Sequence, residues 1–277
     1  MKKRLLLAIV LFWPMAMWQP PAAMAAVNLA IAPISRNDLP WWRARFERSL
    51  ERVRQGHVGL VWLGDSITQN WEKTRPAPYA AYAPIWDRFY GDRDAVNMGF
   101  SGDTTANVIW RLDNGEVAGI SPRALVLLIG ANNFGRVHWD AAQTLAGINA
   151  IIGILRHQLP QTQILLLGVL PSQRSPWITA NTAILNEELA EAYRDRPFVT
   201  FLNVGYLFYR NGRLDRGLYL DPHLAVLASH EPGATPATVP SVALHPDARA
   251  MGMIAAAIEP TLHRLMNDRD HLRLPAG

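Results

Sequence analysis

Five short apolar runs alternate with helical patterns along most of this chain, and that alternation narrows the possible folds more than any other feature. Val58–Leu63, Ala95–Met98, Ala124–Ile129, Gln163–Val169 and Phe198–Leu202 read as strands. Leu39–Gln55, Pro84–Tyr90, Thr104–Asp113, Ala141–Gln158, Ile178–Arg194 and Asp247–Met266 read as helices. In the first helix Trp42, Phe46, Leu50 and Val53 recur at helical spacing, with Pro40 in the first turn and Gly56 as the stop. Apolar strands alternating with helices predict a parallel sheet covered on both faces. The expected fold class is therefore α/β, a three-layer α/β/α sandwich around a five-stranded parallel sheet. Hydrophobic residues make up 49% of the 277, enough for one full core, and neither a repeat nor a linker divides the chain.

The first residues do not belong to that core. Lys2, Lys3 and Arg4 precede a short apolar stretch, Leu5–Met17, and Ala23-Met24-Ala25 has the small-residue pattern of a cleavage site. Residues 1–25 are thus expected to be a secretory signal peptide, leaving 26–277 as a single domain. The apolar stretch is shorter than the ~20 residues a spanning helix needs, so no stable membrane insertion is expected after cleavage. The expected location is the periplasm or the exterior of a bacterium. Removing the leader takes away Lys2, Lys3 and Arg4, so the formal net charge of +4 falls to +1. No basic run remains to argue for nucleic acid. The chain has no cysteine, which excludes disulfides, thiolate metal sites and a cysteine nucleophile.

The chemistry concentrates where strands are expected to end. Val58–Leu63 runs into Gly64-Asp65-Ser66, which would deliver a serine to a tight turn at the carboxyl edge of the sheet, where open α/β sheets place their ligands. The same residues are also ordinary turn and cap chemistry. Three further segments favour the chemical reading: Asn97–Thr105 after the second strand, Gly130-Ala131-Asn132-Asn133 after the third, and Leu244-His245-Pro246-Asp247 before the last helix. A serine becomes nucleophilic when a base takes its proton, and His245 can be that base. Attack on an ester carbonyl creates an oxyanion that needs fixed donors. Ser66 N–H, a backbone N–H at Gly99 and the Asn132 amide are the candidates.

These segments resemble the SGNH/GDSL hydrolase superfamily, and within it the platelet-activating-factor acetylhydrolase-like subgroup. Trp42-Arg43-x-Arg45-Phe46, Leu63–Thr68, Gly99-x-x-Gly102-Asp103-Thr104-Thr105 and Trp110-Arg111-Leu112 carry the closer likeness, which spans roughly residues 39–265. The resemblance implies a flavodoxin-like sandwich and ester hydrolysis through an acyl-serine, for which no cofactor is needed; the histidines show no paired metal spacing, so no catalytic metal is expected. By position it makes Ser66 the nucleophile, His245 the base, and Ser66, Gly99 and Asn132 the oxyanion hole, with Asp65 a structural turn residue.

One position departs from the pattern. Such hydrolases usually carry an aspartate three residues before the histidine, and here Val242 stands there. Three readings follow: Asp221 supplies the carboxylate across a Pro-rich loop, His223–Ala243; a backbone carbonyl orients His245 in a Ser–His dyad; or activity is impaired. His223 is a weaker rival base. The expected substrate is an acylated small molecule or polysaccharide, bearing an acetyl or short-chain ester, with an envelope or extracellular polysaccharide favoured by the leader. Transfer of the acyl group to a sugar hydroxyl and a weakly active carbohydrate-binding or assembly factor are the alternatives. Of ten tryptophans, Trp62 and Trp110 are expected in the core. Trp71, Trp86, Trp139 and Trp177 lie near strand tips, where they would pack loops or stack on a sugar.

Overall fold

In a computed structural model, residues 27–229 and 242–268 are described. The expected signal peptide lies outside them, as does the 230–241 part of the expected loop. The strands are β1 (Leu60–Gly64), β2 (Ala95–Gly99), β3 (Ala124–Leu128), β4 (Gln163–Leu167) and β5 (Val199–Leu202). They form one parallel sheet in the order β2-β1-β3-β4-β5. All five residues of β1 and of β3 are buried, as strands sealed on both faces must be.

Successive side chains of these strands enter two different cores. Val61 and Leu63 of β1 join Leu125, Leu127, Ile164 and Leu166 in one. Leu60 and Trp62 join Val126, Leu165 and Leu167 in the other. The helices are α1 (Pro40–Arg54), α2 (Ser66–Gln69), α3 (Ala83–Tyr90), α4 (Thr105–Asp113), α5 (Ala131–Gly135), α6 (Ala141–Gln158), α7 (Pro176–Ala192), α8 (Leu220–Ser229) and α9 (Ala248–Met266). Residues of α4, α6 and α7 fill the first core, and those of α3 and α9 fill the second. On α1, Trp42 and Phe46 pack with Phe100 in a small satellite cluster. The helix starts follow from capping: Asp140 accepts from the Gln143 amide at 2.8 Å, and Asp247 from the Ala250 amide at 2.8 Å.

The expected loop His223–Ala243 is partly wrong, because α8 occupies its beginning. Leu220–Ser229 is rich in Leu and Ala, and Pro222 falls in the first turn, where its missing N–H costs little. Proline read as a loop signal concealed a helix start. A small antiparallel hairpin, β6 (Tyr209–Arg210) and β7 (Arg213–Leu214), also had no counterpart in the sequence reading.

The strand order positions the site. From β1 the chain crosses to β2 on one side, then returns to β3 on the other. The segments leaving β1 and β3 therefore diverge at the carboxyl edge and leave a crevice between them.

Candidate active site

Gly64 ends β1 because nothing larger fits there. A Cβ would lie 2.3 Å from the Leu128 carbonyl oxygen and 2.4 Å from Thr68 Oγ1. Asp65 then turns the chain, its Oδ1 accepting from the Ile67 amide at 2.9 Å, and Ser66 opens α2. The serine is half-buried. Its Oγ lies 2.9 Å from His245 Nε2.

His245 reaches the serine because its backbone is pinned from two sides. Leu220 N–H donates to the His245 carbonyl at 2.7 Å, and Asp247 N–H donates to the Leu218 carbonyl at 2.8 Å. Tyr82 Oη donates to the Pro246 carbonyl at 2.8 Å. The first turn of α8 then offers Asp221. Its Oδ1 lies 2.8 Å from His245 Nδ1, while Oδ2 accepts from the His245 amide at 2.7 Å and the Leu244 amide at 3.1 Å. These donors outweigh partial burial and hold the Asp221 carboxyl below the ordinary carboxylate range. Ser66, His245 and Asp221 thus form one continuous chain of contacts. Val242, at the position where the resemblance expects an aspartate, is 38% exposed. His223 stacks on Tyr79 with ring centroids 3.8 Å apart and contacts the Gly217 carbonyl.

The expected oxyanion donors divide. Asn132 stands in α5, its Nδ2 donating to the Asp103 carbonyl at 2.9 Å and to Asp65 Oδ2 at a longer 3.3 Å. Gly99 departs from the expectation, because its N–H is already committed to Asn97 Oδ1 at 2.9 Å. Glycine is needed at 99 for close packing instead: a Cβ would lie 2.2 Å from the Gln69 amide nitrogen of α2. Gly102 was missed by the sequence reading. It has φ +80°, which favours glycine, and its N–H donates to no group among the described residues. The Gly102-Asp103 pair inside a turn was the signal that could have found it.

A buried polar network braces the edge from below. Asp103 accepts from Trp42 Nε1 at 2.8 Å, from Arg36 at 3.0 Å and from Arg111 Nε at 3.0 Å. Arg111 also pairs with Glu116 and reaches the carbonyls of Gly64 and Met98 at the ends of β1 and β2. Arg45 donates to the Gly99 carbonyl at 2.7 Å. The Trp42, Arg45, Asp103 and Arg111 motifs therefore hold the serine turn in place and do not touch Ser66. Burial pushes the Asp65 carboxyl up to about 6, with the Ile67 amide the main opposing influence.

Trp62 and Trp71 are buried, and Trp86 packs with both and with Tyr90, so this cluster belongs to the core. Trp177 is 40% exposed and meets Phe134 of α5 edge-on. Among the described residues no three His, Asp or Glu side chains converge as a metal site. No helix among them is long and apolar enough to cross a membrane.

Residues 62–251 match the profile of the GDSL-like lipase/acylhydrolase family. The chain is 29% identical over 181 residues to platelet-activating factor acetylhydrolase IB subunit alpha2 of Gallus gallus, covering 64% of this chain and 74% of that one. It is 31% identical over 153 residues to the same subunit of Homo sapiens, covering 55% of this chain and 60% of that one, so it spans only part of these relatives. Its fold matches a GDSL-like lipase from Bacteroides thetaiotaomicron at TM-score 0.55 and 16% identity, over 80% of this chain and 98% of the other.

Proposed function

The chain belongs to the GDSL-like lipase/acylhydrolase family and is a hydrolase of the SGNH type, and from that premise we propose that it cleaves acyl esters through an acyl-serine intermediate on Ser66. The observation that carries this reading is the contact chain from Ser66 Oγ through His245 to Asp221, at 2.9 Å and 2.8 Å. Ser66 Oγ attacks the ester carbonyl carbon while its proton passes to His245 Nε2. Asp221 accepts from Nδ1–H, which fixes the ring's tautomer and orientation and stabilises the imidazolium that forms. The carbonyl π electrons move onto oxygen, and the oxyanion accepts hydrogen bonds from the Ser66 N–H, the Asn132 amide and the Gly102 N–H. Gly102 takes the role the sequence reading gave to Gly99. Asn132 is oriented by the Asp103 carbonyl, and its other Nδ2 proton, held by Asp65 at only 3.3 Å, is the one the oxyanion accepts. Collapse expels the alcohol, which takes the proton from His245. Water then attacks the acyl-serine with His245 again as base, releasing the acid.

The substrate in this reading is an acetyl or short-chain ester, favoured on an exported polysaccharide. The leader at residues 1–25 supports export to the periplasm or exterior, and the exposed Trp177 ring offers a face for a sugar. Transfer to a sugar hydroxyl would use the same acyl-enzyme with another acceptor. The weakly active binding-factor reading rested on Val242, and Asp221 beside Nδ1 removes that motive.

A screen of nitrophenyl esters from acetyl to long-chain, together with acetylated sugars, tests the reading. Turnover of the short esters by the parent, and none by Ser66→Ala, is expected. Equal turnover by the variant would overturn it.

A further inference from the structure

Arg174 is a half-buried cation that the mechanism above does not use. Its guanidinium donates to the Ala131 carbonyl at 3.0 Å and to Ser172 Oγ at 3.2 Å, and no carboxylate among the described residues lies within ion-pair distance of it. Burying a guanidinium without an ion-pair partner is costly. The fold nevertheless makes room for it. Gly135 leaves the notch, since a Cβ there would lie 1.7 Å from Arg174 Nη1. Gly135 is three residues after Asn132 on α5, so both share one helix face. Arg174 therefore lies over the face that carries Asn132.

A second guanidinium lies against the Cα of Gly102, the residue that carries the other donor. A Cβ on Gly102 would lie 2.1 Å from Arg136 Nη1, and Arg136 is exposed and has no carboxylate partner among the described residues. Arg174 is also close enough to Asp65 and Asp221 to feel both charges. Positive charge thus flanks the crevice on the side of Asn132 and Gly102, and among the described residues no carboxylate closes an ion pair with either guanidinium.

We propose that Arg174, with Arg136 beside it, forms a subsite for a negatively charged group on the alcohol half of the ester, so that the preferred substrates are anionic esters carrying a carboxylate or a phosphate near the scissile bond. An acetyl group has no place for such a charge, which assigns it to the alcohol half. The inference rests on the hydrolase reading for its setting, but the binding it describes is separable from turnover. A guanidinium matches either anion with paired donors.

The test compares kcat/KM for 4-acetoxybenzoate and for 4-acetoxyphenyl phosphate with that for neutral methyl 4-acetoxybenzoate. In Arg174→Gln the anionic-to-neutral ratio falls about tenfold or more, in Arg174→Lys it is partly restored, and in the parent it declines as salt screens the charge. Whichever anion shows the larger ratio identifies the group. A ratio unchanged in Arg174→Gln overturns the proposal, including the case in which both ester classes lose activity in proportion. Calorimetric titration with 4-acetamidobenzoate, an amide carrying the same charge, needs no turnover. Binding at least about tenfold tighter to the parent than to Arg174→Gln supports the subsite even if no ester is cleaved, which would instead sink the hydrolase reading. Equal affinity sinks the subsite even if esters are cleaved.

Discussion

The two halves of the site are held by different means. Ser66 and Asn132 leave the tips of adjacent parallel strands, and the Asp103–Arg111–Glu116 network braces the turn beneath them. His245 and Asp221 come from segments 24 residues apart that meet through side-chain and backbone contacts, with only an isolated bridge between Tyr219 and Pro246 beside them. Sheet topology dictates the first pair. The second pair needs only that some carboxylate reach Nδ1. A contact of that kind can be met from different points of the sequence, and here Asp221 meets it from the first turn of α8.

Replacements on the strand-tip side test whether that half is as firmly set as its bracing implies. Ser66→Ala should remove the nucleophile and cost at least about 10⁴ in kcat, roughly 5.5 kcal/mol, with little change in thermal stability. Loss of folding instead would make Ser66 a structural cap. Arg111→Met leaves the fully buried Glu116 without its counter-charge and Asp103 with Arg36 alone. Chemical denaturation should show about 3–5 kcal/mol of lost stability. A loss below about 1 kcal/mol would mean that the network does not brace the edge. Asn132→Ala should lower kcat by about 10²–10³, or 2.7–4 kcal/mol, with KM little changed. A raised KM with unchanged kcat would make Asn132 a ground-state contact.

The smallest effect is a pH dependence. Asp65 ionises near 3.8 when unperturbed but near about 6 in the fold. Between about pH 4 and 6 the unfolded chain therefore gives up this proton first, and stability falls as pH rises through that window. Two pKa units correspond to about 3 kcal/mol at most. Asp65→Asn should flatten that part of the stability–pH curve. A curve that falls as steeply in the variant as in the parent would place the dependence on other groups.

The same contrast explains what could be read without a structure. Short, mostly apolar runs identified all five strands of the sheet, because β1 and β3 are buried on every residue and the edge strands β2 and β5 still bury part of theirs. Ala141–Gln158 was legible to the residue, since the Asp140–Gln143 capping box marks its start. Ser66, Asn132 and His245 were legible as types at strand tips or before a helix. Gly99 was misjudged because a glycine demanded by packing against α2 looks, in sequence, like one that exposes an N–H. The helix α8 stayed hidden because Pro222 and the residues beyond it resemble a loop. The Arg174 notch had no signal at all, since it depends on Gly135 meeting a side chain 39 residues away.

The central claim is that Asp221 orients His245 although it stands outside the usual spacing. Labelling of Ser66 by a fluorophosphonate, followed by mass spectrometry, reads the activated serine without a known substrate. The account predicts rapid labelling of the parent at Ser66, labelling slowed at least about 100-fold in Asp221→Asn, and no gain in Val242→Asp. Labelling of Asp221→Asn at the parental rate, with acceleration in Val242→Asp, would contradict it and leave a dyad in its place.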